Sequence, residues 1–136
     1  MATINYLEYS QRDLKYAEGM FSLGYFDPCG RFCQQSIEKR LKHYIELYGT
    51  TDDFKFFHTH NLGRLYVKVC EISKSAANPI FRGWLAQLTD YYFDTNYPCA
   101  IHVELTEDMA WEALDITRQV NEWVDNVLEN AKSSTS

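Results

Sequence analysis

Apolar residues recur along the chain at steps of three and four, the spacing of one face of an α-helix. The pattern is clearest in residues 31–48, where one face would carry Cys33, Ile37, Leu41, Tyr44 and Tyr48. Beside this face runs a polar ridge that consists of Arg31, Gln35, Glu38 and Lys42. Glu38 precedes Lys42 by about one helical turn, the favourable order for an ion pair within a helix. Because a single amphipathic helix is marginal in water, we expect other helices to cover this one and the fold to be organised around it.

Glycine and proline mark the ends of the first two helices. We predict helix one over residues 6–23, ended by Gly24 in a left-handed conformation. Asp27 followed by proline is typical of an N-cap and a first helical position, so helix two would cover about residues 28–48, with Gly49 ending it. The link between them is so short that the two helices should be antiparallel neighbours.

Three further helices follow a loop that we predict over residues 49–59. The apolar face of helix three consists of Leu62, Leu65, Val69 and Ile72. Asn78 and Pro79 open helix four, and its apolar face consists of Phe81, Leu85, Leu88 and Tyr92. Pro98 prevents residues 94–103 from continuing that helix. Helix five begins near Thr106, and its apolar face consists of Ala110, Ala113, Thr117, Val120, Val124 and Val127.

No segment shows the period-two alternation of a half-buried strand. The sequence therefore predicts an all-α protein, an antiparallel up-and-down bundle of four to five helices. Its length of 136 residues indicates a single domain, which we place over residues 1–132, with a disordered tail over residues 133–136.

Composition narrows the function classes. The formal net charge is −6, which argues against a generally basic nucleic-acid binder, so no DNA partner is expected, although a local basic patch remains open. No apolar run approaches the length of a membrane span, and the first residues do not resemble a signal peptide. Four cysteines without a CxxC motif are typical of reduced thiols, so we expect a cytoplasmic protein.

The polar ridge of helix two is the first candidate site. Arg31, Lys39 and Lys42 would supply positive charge to phosphates, and Gln35 would donate to or accept from a base edge. The alternative is that this ridge is only the solvated face of an amphipathic helix.

Histidines and cysteines provide weaker candidates. His58 and His60 lie close in sequence, with Cys99 and His102 as distant partners, but this spacing lacks the pattern of a metal site, and we expect no metal and no cofactor. His60, beside the start of a helix, is more typical of a residue that anchors a loop. The remaining pair, Cys29 and Cys33, is better interpreted as buried thiols than as a redox pair.

The segment between helices four and five is the other candidate. It contains Asp94, Asn96, Tyr97 and His102 beside a proline. A histidine is the usual general acid or base for phosphodiester cleavage, but that reaction also needs a cation near the phosphate, and this segment has no lysine or arginine. The alternative is a tight linker without chemistry.

Four short motifs resemble those of HEPN domains, in the order that the family has them. QQSIEKRLK at residues 34–42 is similar to the QQAxEKxLK signature of the second helix. THNL at residues 59–62 resembles THDL, TNYP at residues 95–98 resembles ARYP, and TEDMA at residues 106–110 resembles the TxEEA start of the last helix. The resemblance spans most of the chain.

This resemblance implies a helical bundle that forms a homodimer and is linked to nucleotide binding. Many members are encoded beside a minimal nucleotidyltransferase and act as toxin–antitoxin pairs. Others are metal-independent ribonucleases that use an arginine and a histidine separated by four to six residues. The matching positions here are Asn96 and His102, so the arginine is replaced by a side chain without a full charge.

We therefore expect a non-catalytic HEPN-type module that binds a nucleotide or RNA, a nucleotidyltransferase partner, or both. The expected ligand contacts are Gln35, Glu38, Lys39, Lys42, His60, Asp94 and Tyr97. Two alternatives remain open. One is a metal-independent ribonuclease toxin that uses His102 with Asn96, and the other is a structural, dimerising accessory subunit.

Overall fold

Five α-helices and one 3₁₀ helix make up the described part of the chain. The computed structural model describes residues 5–96 and 104–134, with side chains described for residues 5–90 and 104–133. In order, the elements are α1 (Tyr6–Ser22), α2 (Phe26–Tyr48), the 3₁₀ helix (Thr51–His58), α3 (Leu62–Ser73), α4 (Pro79–Asn96) and α5 (Glu107–Ser134). The described residues contain no strand, and the predicted all-α helical bundle is confirmed. No helix among them is both long and apolar enough to cross a bilayer.

Helix α2 is the centre of the bundle, because it packs against α1, α3, α4 and α5. The face predicted to be apolar is buried along most of its length, with Cys33, Ile37 and Leu41 fully enclosed. Each large apolar side chain buried in this way contributes roughly 1.5–3 kcal/mol. The expectation that the fold is organised around this helix is therefore confirmed.

The link between α1 and α2 follows the prediction in one respect and departs from it in another. Gly24 has a φ of +81°, and the Tyr25 N–H reaches back to the Met20 carbonyl at 2.9 Å, which closes α1 as expected. However, α2 begins at Phe26, and Asp27 is not its N-cap. The Asp27 carboxylate instead accepts the backbone N–H of Leu105 at 2.7 Å and so anchors the start of α5.

Residues 49–59 are more regular than the predicted loop, since residues 51–58 form a 3₁₀ helix. A capping box explains its start. The Asp53 carboxylate accepts the N–H of Thr50 at 2.9 Å, and the Thr50 side chain caps the first turn in return. The hydrophobic pattern misses this element because it is short and caps, rather than apolar periodicity, define it.

Two boundaries fall later than the sequence predicts. The α4 helix continues to Asn96, so the backbone of Asp94 is helical rather than part of a linker. The α5 helix continues to Ser134, so residues 133 and 134 are helical although the sequence predicts a disordered tail there. The predicted apolar face of α5 is buried throughout.

Candidate functional site

Glu38 lies at the centre of a buried charge cluster on α2. Its Oε1 is 2.9 Å from His60 Nδ1 and 3.1 Å from Gln34 Nε2, and its Oε2 is 2.9 Å from Lys42 Nζ. Lys39 Nζ lies somewhat further from Oε2, at 3.5 Å. Glu38 and Lys42 are only 2% and 4% exposed, so the helical ion pair predicted from their spacing exists inside the protein rather than on a solvated ridge.

The surroundings of Glu38 keep its carboxylate ionised. Burial by itself would raise its pKa, but the neighbouring Lys42 ammonium and the hydrogen bond with His60 outweigh burial and lower the pKa below its usual value. Glu38 and Lys42 can both be buried in their charged forms, because each is paired with an opposite charge and forms hydrogen bonds.

This Glu38 cluster (Gln34, Glu38, Lys42 and His60) also fixes the chain that enters α3. Lys42 Nζ donates to the Phe57 carbonyl at 2.8 Å, and Gln34 Nε2 donates to the His60 carbonyl at 3.3 Å. The predicted loop-anchoring role of His60 is consistent with this geometry. Of the two buried residues that were expected to contact a ligand, Lys42 binds the Phe57 carbonyl of the 3₁₀ helix and Glu38 binds His60, which follows that helix.

A groove of about 480 Å³ lies between the 3₁₀ helix, α3 and α4, away from the expected site on α2. Its lining residues are Phe56, Asn61, Gly63, Arg64, Val67, Lys68, Glu71, Arg82 and Ala86. Three of these residues have cationic side chains and one has a carboxylate. The groove is therefore a local basic surface in a chain whose net charge is −6.

The three cations of the groove are not equivalent. Lys68 Nζ lies 3.0 Å from Glu71 and 3.1 Å from Asp53, and its hydrogen bonds with these carboxylates raise the pKa of Lys68. By contrast, Arg64 and Arg82 are exposed, and neither forms an ion pair with any carboxylate in the described part of the chain. Two guanidinium groups therefore face solvent with their charge uncompensated.

Local structure brings these cations together. Arg64 and Lys68 lie one turn apart on α3 and flank the ring of Phe56, with Arg64 Cζ 5.7 Å and Lys68 Nζ 5.5 Å from the ring centroid. The Asn61 side chain caps α3 by accepting the Arg64 N–H at 3.1 Å. Arg82 comes from the first turns of α4. The α3 N-terminus adds a partial positive charge to the same groove.

The pattern of apolar residues does not predict this groove. It predicts the apolar faces of helices three and four but not which polar residues of these helices meet. The available signal was the i, i+4 pair Arg64 and Lys68 on the polar side of α3, together with Arg82 near the proline start of α4. Only the packing of α3 against α4 shows that these three cations share one surface.

The residues proposed for catalysis are only partly described. Asn96 is the last residue of α4, and Asp94 lies in the same helix. Tyr97 and His102 lie outside the described residues, as does Cys99. Among the side chains that the structure describes, those of residues 5–90 and 104–133, no three from His, Cys, Asp or Glu converge as they would around a metal ion.

Cys29 and Cys33 are free thiols enclosed in the core. Their mutual hydrogen bond lowers the pKa of Cys29, whereas that bond and burial together raise the pKa of Cys33. Because neither sulfur reaches solvent, both residues act as core packing, as the sequence suggests.

Comparison with known proteins agrees with this architecture. The family model of the HEPN domain matches residues 5–127. The crystal structure of TT1696 from Thermus thermophilus is similar, with 24% identity, a TM-score of 0.77, and coverage of 90% of this chain and 94% of that one. ST0689, an archaeal HEPN homologue, is 21% identical, with a TM-score of 0.62 and coverage of 89% and 93%. No curated protein matches. The chain belongs to the HEPN domain family.

Proposed function

We propose that this chain is a non-catalytic HEPN module that binds a nucleotide or RNA through its phosphates, in the groove between the 3₁₀ helix, α3 and α4. The observation that carries this proposal is the pair Arg64 and Arg82, two exposed guanidinium groups without a carboxylate partner in the described part of the chain. A cation without a neighbouring carboxylate contributes more binding free energy to a phosphate than a cation that is already paired with a carboxylate.

The shape and chemistry of the groove suit this ligand. Its volume of about 480 Å³ is within the range of small-molecule sites. Arginine binds phosphate oxygens in a bidentate manner, and the N-terminus of α3 favours an anion beside it. Phe56 holds the Arg64 and Lys68 side chains in place, which limits the ordering cost of binding.

The groove favours binding over cleavage. Phosphodiester hydrolysis needs a general acid or base, and no histidine is among the described residues that line the groove. Its carboxylate, Glu71, is already held by Lys68 at 3.0 Å. The same lining offers cations and an apolar ring, which are the groups that a binding site uses.

The test compares two double variants that remove the same charge. Arg64→Ala/Arg82→Ala alters the groove, whereas Arg31→Ala/Lys39→Ala alters the partly exposed side of α2 that the sequence favours. Fluorescence anisotropy with labelled ATP and a labelled short RNA should show at least about tenfold weaker binding for the groove variant only, since hydrogen bonds to charged groups contribute roughly 1.5–3 kcal/mol each. The slope of log K against log salt should fall by about 0.7 for each RNA phosphate that the variant no longer neutralises.

Three results would overturn the proposal. Loss of affinity in the α2 variant alone would place the ligand on α2. Cleavage of the labelled RNA without added metal, abolished by His102→Ala, would favour the ribonuclease alternative. Absence of binding to either probe would remove the basis for a nucleotide-binding or RNA-binding function.

We also propose that the chain forms a homodimer. Large exposed apolar side chains lie near one end of the bundle: Leu23, Tyr25 and Trp111. Glu18, near the end of α1, pairs with Arg118 of α5 at 2.8 Å, and Asp27 accepts the Leu105 N–H at 2.7 Å, so the link between α1 and α2 lies near the start of α5, which carries Trp111. In sedimentation experiments the wild type should be a dimer, and the variant Leu23→Asp/Trp111→Arg should be a monomer. A monomeric wild type would instead favour a nucleotidyltransferase as the partner on this surface.

A further inference from the structure

A second cleft lies between α1 and α5, and it shares no lining residue with the groove. Both helices pack mainly against α2, and the space between them contains two cavities of about 370 Å³ and about 430 Å³. The two cavities share Gln11 and Arg40, with Leu7 beside the first and Glu18 beside the second, so they lie end to end along α1. The cleft is elongated, because α1 rises about 16 Å between Leu7 and Glu18.

Arg40 of α2 lines both cavities and keeps one donor group free. Its Nε donates to Ser10 Oγ at 2.9 Å, and its Nη1 donates to both carboxylate oxygens of Asp125, at 2.7 and 3.0 Å. Its Nη2 has no hydrogen-bond partner in the described part of the chain, although this atom is not enclosed. Because Asp125 already compensates the charge of the guanidinium, the free N–H groups favour a neutral acceptor, such as a carbonyl oxygen, over an anion.

Two amides and four leucines surround this donor. The Gln11 and Asn126 side chains are exposed, and neither forms a hydrogen bond with any described residue. Leu47 is 52% exposed, although leucine is among the residues that proteins usually bury. The apolar lining of the cleft consists of Leu7, Leu14, Leu47 and Leu128. The cleft therefore offers free hydrogen-bonding groups beside an apolar wall.

The charges of the cleft balance, unlike those of the groove. Three cationic and three acidic side chains line the two cavities: Lys15, Arg40, Lys132, Glu18, Asp125 and Glu129. His43 adds no charge at neutral pH, because burial lowers its pKa. The cleft therefore has little attraction for a polyanion, whereas the groove has three cations and one carboxylate.

We propose that the cleft between α1 and α5 is a docking site for an extended, uncharged peptide segment of a partner protein. Each residue of an extended chain brings a backbone donor and acceptor that need partners, and Arg40 Nη2 and the two free amides provide them. Apolar side chains of the segment pack against Leu47 and the other leucines. A strand advances about 3.3 Å per residue, so a cleft of about 16 Å holds roughly five residues. The inference does not depend on the proposed function, since the two sites are separate.

The experiment selects peptides without assuming their sequence. A displayed library of random peptides of about seven residues, slightly longer than the cleft, is panned against the full-length wild type. The most enriched peptide is then synthesised with an acetylated and an amidated end. We expect enrichment of uncharged peptides that contain large aliphatic residues.

Two variants of one exposed residue test where the selected peptide binds. Fluorescence anisotropy should show at least about tenfold weaker binding by Leu47→Asp, because this change removes apolar contact and places a charge in the cleft. Leu47→Met keeps an apolar side chain and should bind within about threefold of the wild type. Gln11→Ala should weaken binding by about two- to tenfold, the effect of one hydrogen bond.

The outcomes separate this inference from the proposed function. Arg64→Ala/Arg82→Ala should bind the peptide as tightly as the wild type, and Leu47→Asp should bind labelled ATP as tightly as the wild type. Enrichment of charged peptides, the absence of enrichment, or peptide binding that Leu47→Asp retains would each overturn the inference. It would also be wrong if Leu47→Asp changed the protein from a dimer to a monomer in sedimentation, because a second copy of the chain would then occupy the cleft.

Discussion

The Glu38 cluster and the cationic groove both contact the same 3₁₀ helix, yet they treat charge in opposite ways. In the cluster, Glu38 and Lys42 are buried, and each has an opposite charge within 2.9 Å. In the groove, Arg64 and Arg82 are exposed and have no carboxylate partner in the described residues. The charges of the Glu38 cluster therefore stabilise the fold, whereas the charges of the groove remain available to bind an anionic ligand.

This difference determines what a substitution should change. Removing one member of a buried pair leaves the other charge enclosed and unpaired, which is costly for folding. Removing an exposed guanidinium leaves nothing enclosed, so stability should hardly change while affinity for an anion falls. Stability and binding measurements on matched variants therefore test the comparison directly.

The largest expected effect is that of Glu38→Gln. Glutamine has nearly the same shape but no charge, so the Lys42 ammonium would remain buried without a full counter-charge. We expect a loss of about 3–5 kcal/mol in the free energy of unfolding, measured by urea denaturation at neutral pH. The double variant Glu38→Gln/Lys42→Met should be less destabilised than the sum of the two single variants, because it leaves no unpaired charge. Additive losses would contradict the interpretation that the two side chains act as a pair.

The next prediction compares two lysines that both pair with acids. Lys42→Met should cost about 3 kcal/mol or more, because it leaves the Glu38 carboxylate buried with weaker partners. Lys68→Met should cost less than about 1 kcal/mol, because Lys68 is 22% exposed, its partner Glu71 is 62% exposed, and its other partner Asp53 keeps the hydrogen bond from the Thr50 N–H when the ammonium is removed. Equal losses of stability in the two variants would show that burial does not distinguish the cluster from the groove.

The sequence predicts the bundle well because its signals are local. Apolar periodicity, Gly24 and the proline of α4 specify helices from neighbouring residues alone. The pairing of Glu38 with Lys42 is also local, since one helical turn separates them. Hence the predicted apolar faces of α2 and α5 agree with the structure.

The location of the groove is not local information. Arg64 and Lys68 have the same one-turn spacing as Glu38 and Lys42, so spacing alone does not tell which pair is buried. That depends on which helix covers each face, and the 3₁₀ helix that covers Lys42 begins from a capping box rather than an apolar pattern. The sequence therefore indicates that α2 carries important charges but does not show that the fold encloses Glu38 and Lys42.

An acid titration of stability gives a smaller, graded effect. Because the folded-state pKa of Glu38 is lowered, its contribution to stability is complete above its ordinary value of 4.5 and is lost as the pH falls through the folded pKa. The protonated wild type then resembles Glu38→Gln, so the stability difference between the two proteins should shrink as the pH falls from 7 to about 3. Urea denaturation at each pH measures it, and the other carboxylates cancel in the subtraction. A constant difference over this range would contradict a lowered pKa.

The smallest expected effect is the most discriminating. Arg64→Ala/Arg82→Ala should unfold within about 0.5 kcal/mol of the wild type per substitution, since both guanidinium groups are exposed and neither has a carboxylate partner among the described residues. The same protein should lose affinity for RNA, so one sample would show intact folding and impaired binding. A substantial loss of stability would mean that Arg64 supports the 3₁₀ helix through Phe56, as Lys42 supports it through the Phe57 carbonyl. In that case the groove and the Glu38 cluster would both serve the fold, and the contrast between paired and unpaired charge would no longer identify a binding site.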